Sequence, residues 1–174
     1  FHLEPKGQGY HAARSGVAVS VSPVGPFQYL RSVRPDAGVW PDNATPEQKA
    51  SVAETAALRG RIFSGGVNDE VPRLPILARD VEDGQMARDM TIFVDDDGQA
   101  YHIYSSEENS TLHLSLLTDD YLSHAGRYVR LFEHRWHEAP ALCKHGGRYW
   151  MIMSGCTGWS PNAARAATAP AIWG

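Results

Sequence analysis

Two carboxylates, Asp89 and Glu138, occupy matching places in two similar segments of the chain. Glu138 stands next to an alanine-proline pair at the start of a strand-like run, where it has no capping or helical duty. An apolar, partly desolvated setting raises the pKa of a carboxyl group, as a general acid at neutral pH requires. We interpret Glu138 as a candidate proton donor. An ion pair with Arg135 or Arg148 is the competing, structural explanation.

Asp89 is the second candidate, although an aspartate that precedes a strand often caps a turn or pairs with a neighbour, here Arg88. Its alignment with Glu138 favours a functional role. A second carboxylate in one cavity would keep the proton on the acid by like-charge repulsion, or would hold a sugar. Glycosidases generally need such carboxyl pairs, and the spacing of the pair depends on whether water attacks directly.

An internal repeat with a shift of 49 residues relates the two carboxylates. Under this shift residues 88–106 align with residues 137–155, and the matched pairs include Gly98 with Gly147, Tyr101 with Trp150, Ile103 with Ile152 and Ser105 with Ser154. Each copy is a strand, a turn with glycine and a second strand, the pattern of a β-hairpin. Repeats of about 50 residues made of hairpins are typical of β-propellers, whose blades surround a central channel. Both acids are therefore expected to face one funnel.

The repeat predicts an all-β fold in which residues 1–174 form an incomplete β-propeller. The predicted parts are the outer half of a blade (1–34), an insertion (35–86), a complete blade (87–133) and most of the next blade (134–174). Propellers usually have about 4 to 8 blades of four strands, and this chain holds about three blades' worth of strands. We expect the sequence to be a piece of a longer protein, since it also begins with Phe1 rather than Met.

The insertion lacks strand alternation, is rich in Pro, Gly, Asp and Ala, and is too long for a plain connector. Residues 45–48, TPEQ, form a capping box with proline at the first helical position, which predicts one short helix from Pro46 to about Leu58. We expect this helix to pack lightly over the propeller face, because its apolar side consists mostly of small residues, Val52, Ala53, Ala56 and Ala57.

Composition and motifs exclude several classes of function. A net charge of −4 without a Lys/Arg cluster argues against nucleic acid as a partner and suits a neutral ligand such as a sugar. No apolar run is long enough to span a membrane. Residues 95–98, DDDG, do not continue as an EF-hand, since Phe93 and Tyr104 stand where acids are needed. A hairpin turn explains these residues better, and no metal site is predicted.

Trp159 lies in a polar, glycine-rich loop directly after the second strand of the second hairpin. A loop tryptophan has few core neighbours, so it can present its face to the apolar side of a sugar. Filling a gap between blades is the structural alternative. Trp136 and Trp150 are expected to be packing residues.

Three runs of sequence carry a resemblance to a known family, GVAVSVSPVGPF, RDMTIFVDDDGQAYHIYSSEENSTLHLSLLTDDYL and HEAPALCKHGGRYWMIMSGCTGWSPNAAR. They resemble glycoside hydrolase family 43, whose members are five-bladed β-propeller enzymes. The similarity is highest to the branch with exo-β-1,3-galactanases, β-galactofuranosidases and α-L-arabinofuranosidases. It covers nearly the whole chain apart from the insertion, so the resemblance implies part of a catalytic propeller domain.

The resemblance further implies an inverting glycosidase that acts on terminal arabinofuranosyl or galactosyl residues of plant-type polysaccharides. Glu138 matches the general acid of the family, and Asp89 matches the residue that tunes the pKa of the acid and orients it. Trp159 resembles a sugar-contacting loop residue, and Asn162 and Glu107 are further candidates for substrate binding. The usual aspartate base belongs to the first blade, which this sequence lacks, and some galactanase-like members have no such aspartate, so no base is assigned.

The same resemblance implies an oligosaccharide or polysaccharide as the partner, and secretion or a periplasmic location, because such substrates lie outside the cell. No cofactor is expected. Calcium binds at the propeller centre of some relatives, but these residues do not support it. A non-catalytic carbohydrate-binding propeller and an inactive fragment of the enzyme are the alternative functions.

Overall fold

The computed structural model describes residues 1–7, 9–61, 63 and 66–174, and within them ten strands form three antiparallel sheets. The first sheet contains β1 (His2–Leu3), β2 (Arg14–Val19) and β3 (Gln28–Val33). The second contains β4 (Met90–Val94), β5 (Ala100–Ser106), β6 (Thr111–Leu117) and β7 (His124–Leu131). The third contains β8 (His137–His145), β9 (Arg148–Gly155) and β10 (Arg165–Ala169).

In each sheet the strands pair in the order in which they follow along the chain. This up-and-down order is that of propeller blades, and the second sheet has the four strands of one blade. The central strands β5 and β6 are almost wholly buried, because the third sheet packs on one of their faces and Asp36 of the insertion contacts Tyr104 and Ser115 on the other. The predicted all-β fold is confirmed.

Glycines form the turns of the two repeated hairpins. Gly98, between β4 and β5, has a φ of 84°, and its amide donates to the Asp95 carbonyl at 3.0 Å. Gly146 and Gly147, between β8 and β9, have φ values of 57° and 72°. Glycine adopts positive φ without steric cost, so these residues permit tight hairpin turns. The predicted turn at residues 95–98 is therefore confirmed.

The two repeated hairpins lie side by side. Lys144 on β8 forms an ion pair with Asp95 at 2.6 Å, and Phe93 on β4 meets the Tyr149 ring edge-on with centroids 6.0 Å apart. One apolar core joins the two sheets, with Tyr101, Ile103, Leu112, Leu114 and Val129 from the second and Met151 and Met153 from the third. Strands at equivalent places in the two sheets are thus neighbours in space.

The insertion contains two short α-helices, α1 (Pro46–Ala50) and α2 (Ile76–Asp80). The capping box is present, since the Gln48 amide donates to Thr45 Oγ1 at 3.2 Å and the Thr45 amide donates to Gln48 Oε1 at 2.9 Å. A 3₁₀-helix, Ser51–Leu58, follows α1. The predicted helix therefore starts where expected but is α-helical only at its start, because little tertiary packing supports a longer α-helix. The second helix was not predicted.

The insertion is anchored to the rest of the molecule by an apolar cluster. Helix α1 has no buried residue, as the prediction of light packing implies. Further along, however, Leu58, Phe63, Val71 and Ile76 pack against Trp136 and Cys156. The prediction of light packing concerned only the helix. Leu58 lies at its predicted end, and the other three large apolar residues of the cluster follow it.

Candidate active site

Asp89 and Glu138 open on one cavity of about 410 Å³, as the repeat predicted. The other residues that line it come from all three sheets and their loops, and they include His2, Tyr10, Arg88, Asn109, Ser154 and Trp159. A larger cleft of about 730 Å³ lies between the first two sheets, but its walls are mainly apolar. The described lining of the larger cleft includes two histidines but no carboxylate, whereas the smaller cavity presents the pair Asp89 and Glu138.

Glu138 reaches this cavity because β8 bulges next to it. Glu138 pairs with Ser154, and regular pairing resumes only at Ala141 with Ile152. Ala139, within the bulge, has a φ of 47°. A bulge bends its strand and re-aims the adjacent side chain, and proline, which has no amide hydrogen to donate, is tolerated there. The alanine-proline pair that follows the acid thus accounts for its local geometry.

Two neighbours hold the Glu138 carboxyl group. Asn109 donates from Nδ2 to Glu138 Oε1 at 2.9 Å. The Cys156 thiol also forms a hydrogen bond with Glu138, and burial together with the nearby Glu138 charge raises the pKa of that thiol to about 11. The thiol is therefore protonated at neutral pH and can act as a donor.

The half-buried position of Glu138 raises the pKa of its carboxyl group. The hydrogen bond from Cys156 opposes this rise, the negative charge of Asp89 adds to it, and the positive charge of Arg88 opposes it. In the part of the chain that the structure describes, no ion pair joins Glu138 to the arginines considered as alternative partners. The carboxyl group therefore retains its proton to higher pH than an ordinary glutamate does, which suits a general acid.

Asp89 lies directly before β4 and contacts the bulge that carries the acid. Its Oδ2 accepts a hydrogen bond from the Ala139 amide at 3.1 Å, and its carbonyl accepts one from the Ser105 amide at 2.9 Å. Asp89 is thus bound to the residue that follows Glu138. Its charge acts on the acid, and its side chain fixes the local backbone.

Trp159 stands on the cavity wall with its side chain fully exposed, where the ring is free to meet a ligand. Asn162 turns toward its own loop. It accepts from the Gly155 amide at 2.7 Å and donates to Thr157 Oγ1 at 2.8 Å. These contacts make Asn162 a support of the loop that carries Trp159, and the structure does not place it on the cavity wall.

Glu107 requires a correction, because the structure places it outside the cavity and fully buried. It accepts hydrogen bonds from Arg130 Nε at 2.6 Å and Nη2 at 2.8 Å, and its Oε1 lies 2.9 Å from His113 Nε2. Burial disfavours the charge, but the hydrogen bonds from His113 and Arg130 outweigh it and lower the pKa of Glu107 to about 2. These contacts describe a structural ion pair rather than a substrate contact.

Sequence reasoning missed several residues of the site, above all Asn109, Arg88 and Cys156. Arg88 is buried and donates to Glu108 at 2.9 Å and to the Tyr10 carbonyl at 3.0 Å. The repeat contained a usable signal, since residue 109 falls on residue 158 under the 49-residue shift, and both positions line the cavity. The loop after the second strand of each hairpin therefore reaches the same place.

Among the residues that the structure describes, neither a cluster of metal-binding side chains nor a membrane-spanning helix is present. No group of three or more His, Cys, Asp or Glu side chains there is arranged to hold a metal ion. No helix there is long and apolar enough to cross a membrane.

The family model for glycosyl hydrolases family 43 matches residues 75–174, more than half of the chain, and this range contains both acids. The chain belongs to glycosyl hydrolase family 43. The resemblance drawn from the sequence is therefore confirmed. A search of the curated proteins found no match.

Three solved structures are similar to this family 43 chain over almost its full length. A family 43 β-1,3-galactosidase with galactodeoxynojirimycin is 48% identical, with a TM-score of 0.82, over 99% of this chain and 50% of that one. An exo-β-1,3-galactanase from Clostridium thermocellum is 36% identical, with a TM-score of 0.68, over 97% of this chain and 29% of that one. A second family 43 β-1,3-galactosidase is 30% identical, with a TM-score of 0.68, over 97% of this chain and 26% of that one.

The chain thus spans half or less of the length of these solved proteins. Family membership and the similarity of fold identify the three sheets as blades of a β-propeller. The predicted fold, a partial propeller, is confirmed.

Proposed function

We propose that the protein containing this chain is a glycosidase that removes terminal β-1,3-linked galactosyl residues, with Glu138 as the general acid. One observation carries the proposal. Glu138, whose pKa is raised by burial, faces the same cavity as Asp89, whose charge favours the protonated acid. The sequence left arabinofuranosyl and galactosyl substrates open. The three solved structures described above are all named for β-1,3-linked galactose, which supports the galactosyl substrate.

In this mechanism Glu138 donates its proton to the oxygen of the glycosidic bond as the bond breaks. Asp89 raises the pKa of the acid through its charge and holds the bulge through the Ala139 amide. Asn109 and Cys156 fix the direction of the carboxyl group. Proton transfer from a positioned acid contributes about 10² to 10⁴ to the rate.

The proposed mechanism is inverting, so that water attacks the sugar from the face opposite the acid. Inverting enzymes separate acid and base by roughly 6.5–9.5 Å to leave room for this water. We assign no base within this chain. Trp159 offers its exposed ring to the apolar face of a sugar, an interaction that contributes binding without taking part in the chemistry. Because a polysaccharide substrate lies outside the cell, we also propose secretion or a periplasmic location.

The test is hydrolysis of β-1,3-galacto-oligosaccharides, aryl β-galactopyranosides and aryl α-L-arabinofuranosides by the complete protein that contains this chain. Proton NMR of the first-formed anomer should show inversion for the galactosides. Glu138→Gln should lower kcat by at least about 10²-fold. Glu82→Gln is a matched control, because Glu82 forms an exposed ion pair with Arg59.

Unchanged hydrolysis by Glu138→Gln would remove Glu138 from the mechanism. Saturable binding of the oligosaccharides without turnover by the unmodified protein would favour a carbohydrate-binding propeller. Faster hydrolysis of arabinofuranosides than of galactosides would correct the substrate.

A further inference from the structure

The turn between β5 and β6 has an unusual backbone next to the acid. Three successive residues, Glu107, Glu108 and Asn109, have φ values of 48°, 60° and 70°. Residues other than glycine seldom enter this left-handed region, and successive ones do so rarely. Such a conformation persists only where the surroundings hold it, and it is often found at functional sites.

Each of the three side chains has its own partner. Glu107 pairs with Arg130, as described above. Glu108 is buried between two arginines, with Arg79 Nη2 at 3.0 Å and Arg88 Nη2 at 2.9 Å. Asn109 donates to Glu138. The ion pairs of Glu107 and Glu108 hold the turn in place. The turn thereby positions Asn109 to donate its hydrogen bond to the acid.

Arg79 belongs to α2, so one of these contacts comes from the insertion. Arg79 also donates from Nε to Asp80 at 2.8 Å, and Asp80 lies 3.4 Å from Arg34 Nη1. The side chains of Arg79, Asp80 and Glu108 are all nearly inaccessible to solvent. A chain of ion pairs therefore runs from Arg34, directly after β3, through α2 to the turn, and it is buried at Arg79, Asp80 and Glu108. Such pairs fix geometry strongly, since a buried charge that loses its partner is costly.

The insertion supports the acid by a second route. Its apolar residues Leu58, Phe63, Val71 and Ile76 form one buried cluster with Trp136 and Cys156. The Cys156 thiol bonds to Glu138 and lies 4.0 Å from Asn109 Nδ2. Both groups that hold the acid thus rest on the insertion, one through an ion pair and one through apolar packing.

We propose that Arg79 is a positioning residue, which keeps the left-handed turn in place and thereby holds Asn109 against Glu138. The proposal rests on the function proposed above for Glu138. It gives the insertion a role in positioning the general acid, whereas the sequence predicted only light packing of the insertion over the propeller face.

Loss of Arg79 leaves Glu108 with Arg88 alone and weakens the support of the turn. The turn then relaxes toward a more favourable backbone, and the Asn109 amide withdraws from the carboxyl group. A hydrogen bond donated to a carboxylate favours its ionised form, so its loss raises the pKa of Glu138. The other groups that act on the pKa of Glu138 are the Cys156 thiol, Asp89 and Arg88, and of these Arg88 is also bound to Glu108 of the turn. The acid also gains rotational freedom, which lowers kcat.

The experiment compares Arg79→Gln with Arg59→Gln in the complete protein that contains this chain. Arg59 lies in the same insertion, but its ion pair with Glu82 is exposed, so it is a matched control. The ¹³C resonance of the Glu138 carboxyl group, assigned with Glu138→Gln, gives the pKa by titration, and the ¹⁵N resonance of the Asn109 amide reports the hydrogen bond. Arg79→Gln should raise this pKa and shift the Asn109 resonance, while Arg59→Gln changes neither.

In the complete protein, Arg79→Gln should lower kcat by about 10- to 100-fold with little change in KM, since a misplaced group costs rate. Glu108→Gln should have the same effects, and the double variant should be no worse than Glu108→Gln alone, because both residues act through one contact. Arg79→Lys should restore part of kcat. If Arg79→Gln fails to fold, Glu108→Gln provides the same titration.

A pKa of Glu138 in Arg79→Gln equal to that of the control would overturn the proposal, as would additive losses of kcat in the double variant. Failure of the proposed function is a separate result. If Glu138→Gln remains fully active, Glu138 is not the acid, and the titration of Glu138 still decides whether Arg79 positions it.

Discussion

Replacing Glu107 by glutamine should destabilise the protein by about 3 kcal/mol near neutral pH. Glu107 is fully buried against Arg130 and His113, and its pKa falls from 4.5 to about 2 in the folded state. A change of this size corresponds to about 3 kcal/mol of pH-dependent stability. Breaking a buried ion pair typically costs about 3 to 5 kcal/mol, which is of the same order.

The sign of the pH dependence follows from the lowered pKa. Because the folded state holds Glu107 ionised, its contribution is complete above the unfolded pKa near 4.5 and is lost as pH falls toward 2. Urea unfolding of wild type and Glu107→Gln should therefore show a gap of about 3 kcal/mol at about pH 7 that narrows by about pH 3. Glu82→Gln, which removes an exposed pair, should cost less than about 1 kcal/mol at either pH.

A difference below about 1 kcal/mol between the unfolding free energies of wild type and Glu107→Gln at neutral pH would contradict a buried ion pair, because such a value is typical of an exposed pair. A gap that stays constant as the pH falls would refute it equally. Either result would mean that Glu107 is not held ionised by Arg130 and His113.

Three further predictions concern the cavity. Asp89→Asn should lower the pKa of Glu138, so the alkaline limb of the kcat/KM profile should move to lower pH; an unmoved limb would contradict a charge effect. Trp159→Ala should raise KM for oligosaccharides without changing the thermal midpoint, since the side chain is fully exposed; an unchanged KM would remove Trp159 from substrate binding. Asn162→Ala should lower kcat/KM, because the loop that carries Trp159 loses its hydrogen bonds to the Gly155 backbone. Wild-type kinetics in this variant would show that the loop keeps its conformation without Asn162.

The sequence could predict those parts of the fold that depend on local pattern. Turn glycines and alternating strand residues identified the two hairpins, because positive φ at Gly98 and Gly147 follows directly from turn chemistry. The cavity shared by Asp89 and Glu138 was also predictable, since equivalent positions of neighbouring blades surround one axis. The internal repeat was enough to place Asp89 and Glu138 in one cavity, although they are 49 residues apart and no contact between them was known.

The remaining features depend on long-range contacts that no local pattern signals. Glu107 and Glu138 are both acids near strand ends, and only the fold buries one against Arg130 and directs the other into a cavity. The left-handed backbone of Asn109 could not be inferred, because the residue type does not require it. The contact between the insertion and the turn before β6 requires Arg79 to meet Glu108, 29 positions away, which happens only once the blades are assembled.

The central claim is that Glu138 supplies the proton to the leaving group. The most direct measurement is kcat/KM of wild type and Glu138→Gln for aryl β-galactosides whose leaving groups differ in pKa. We expect kcat/KM of Glu138→Gln to fall by about 10²- to 10⁴-fold for poor leaving groups, which need the proton, and much less for good ones, which depart without it. Equal losses across the series, or no loss at all, would contradict the assignment of Glu138 as the acid.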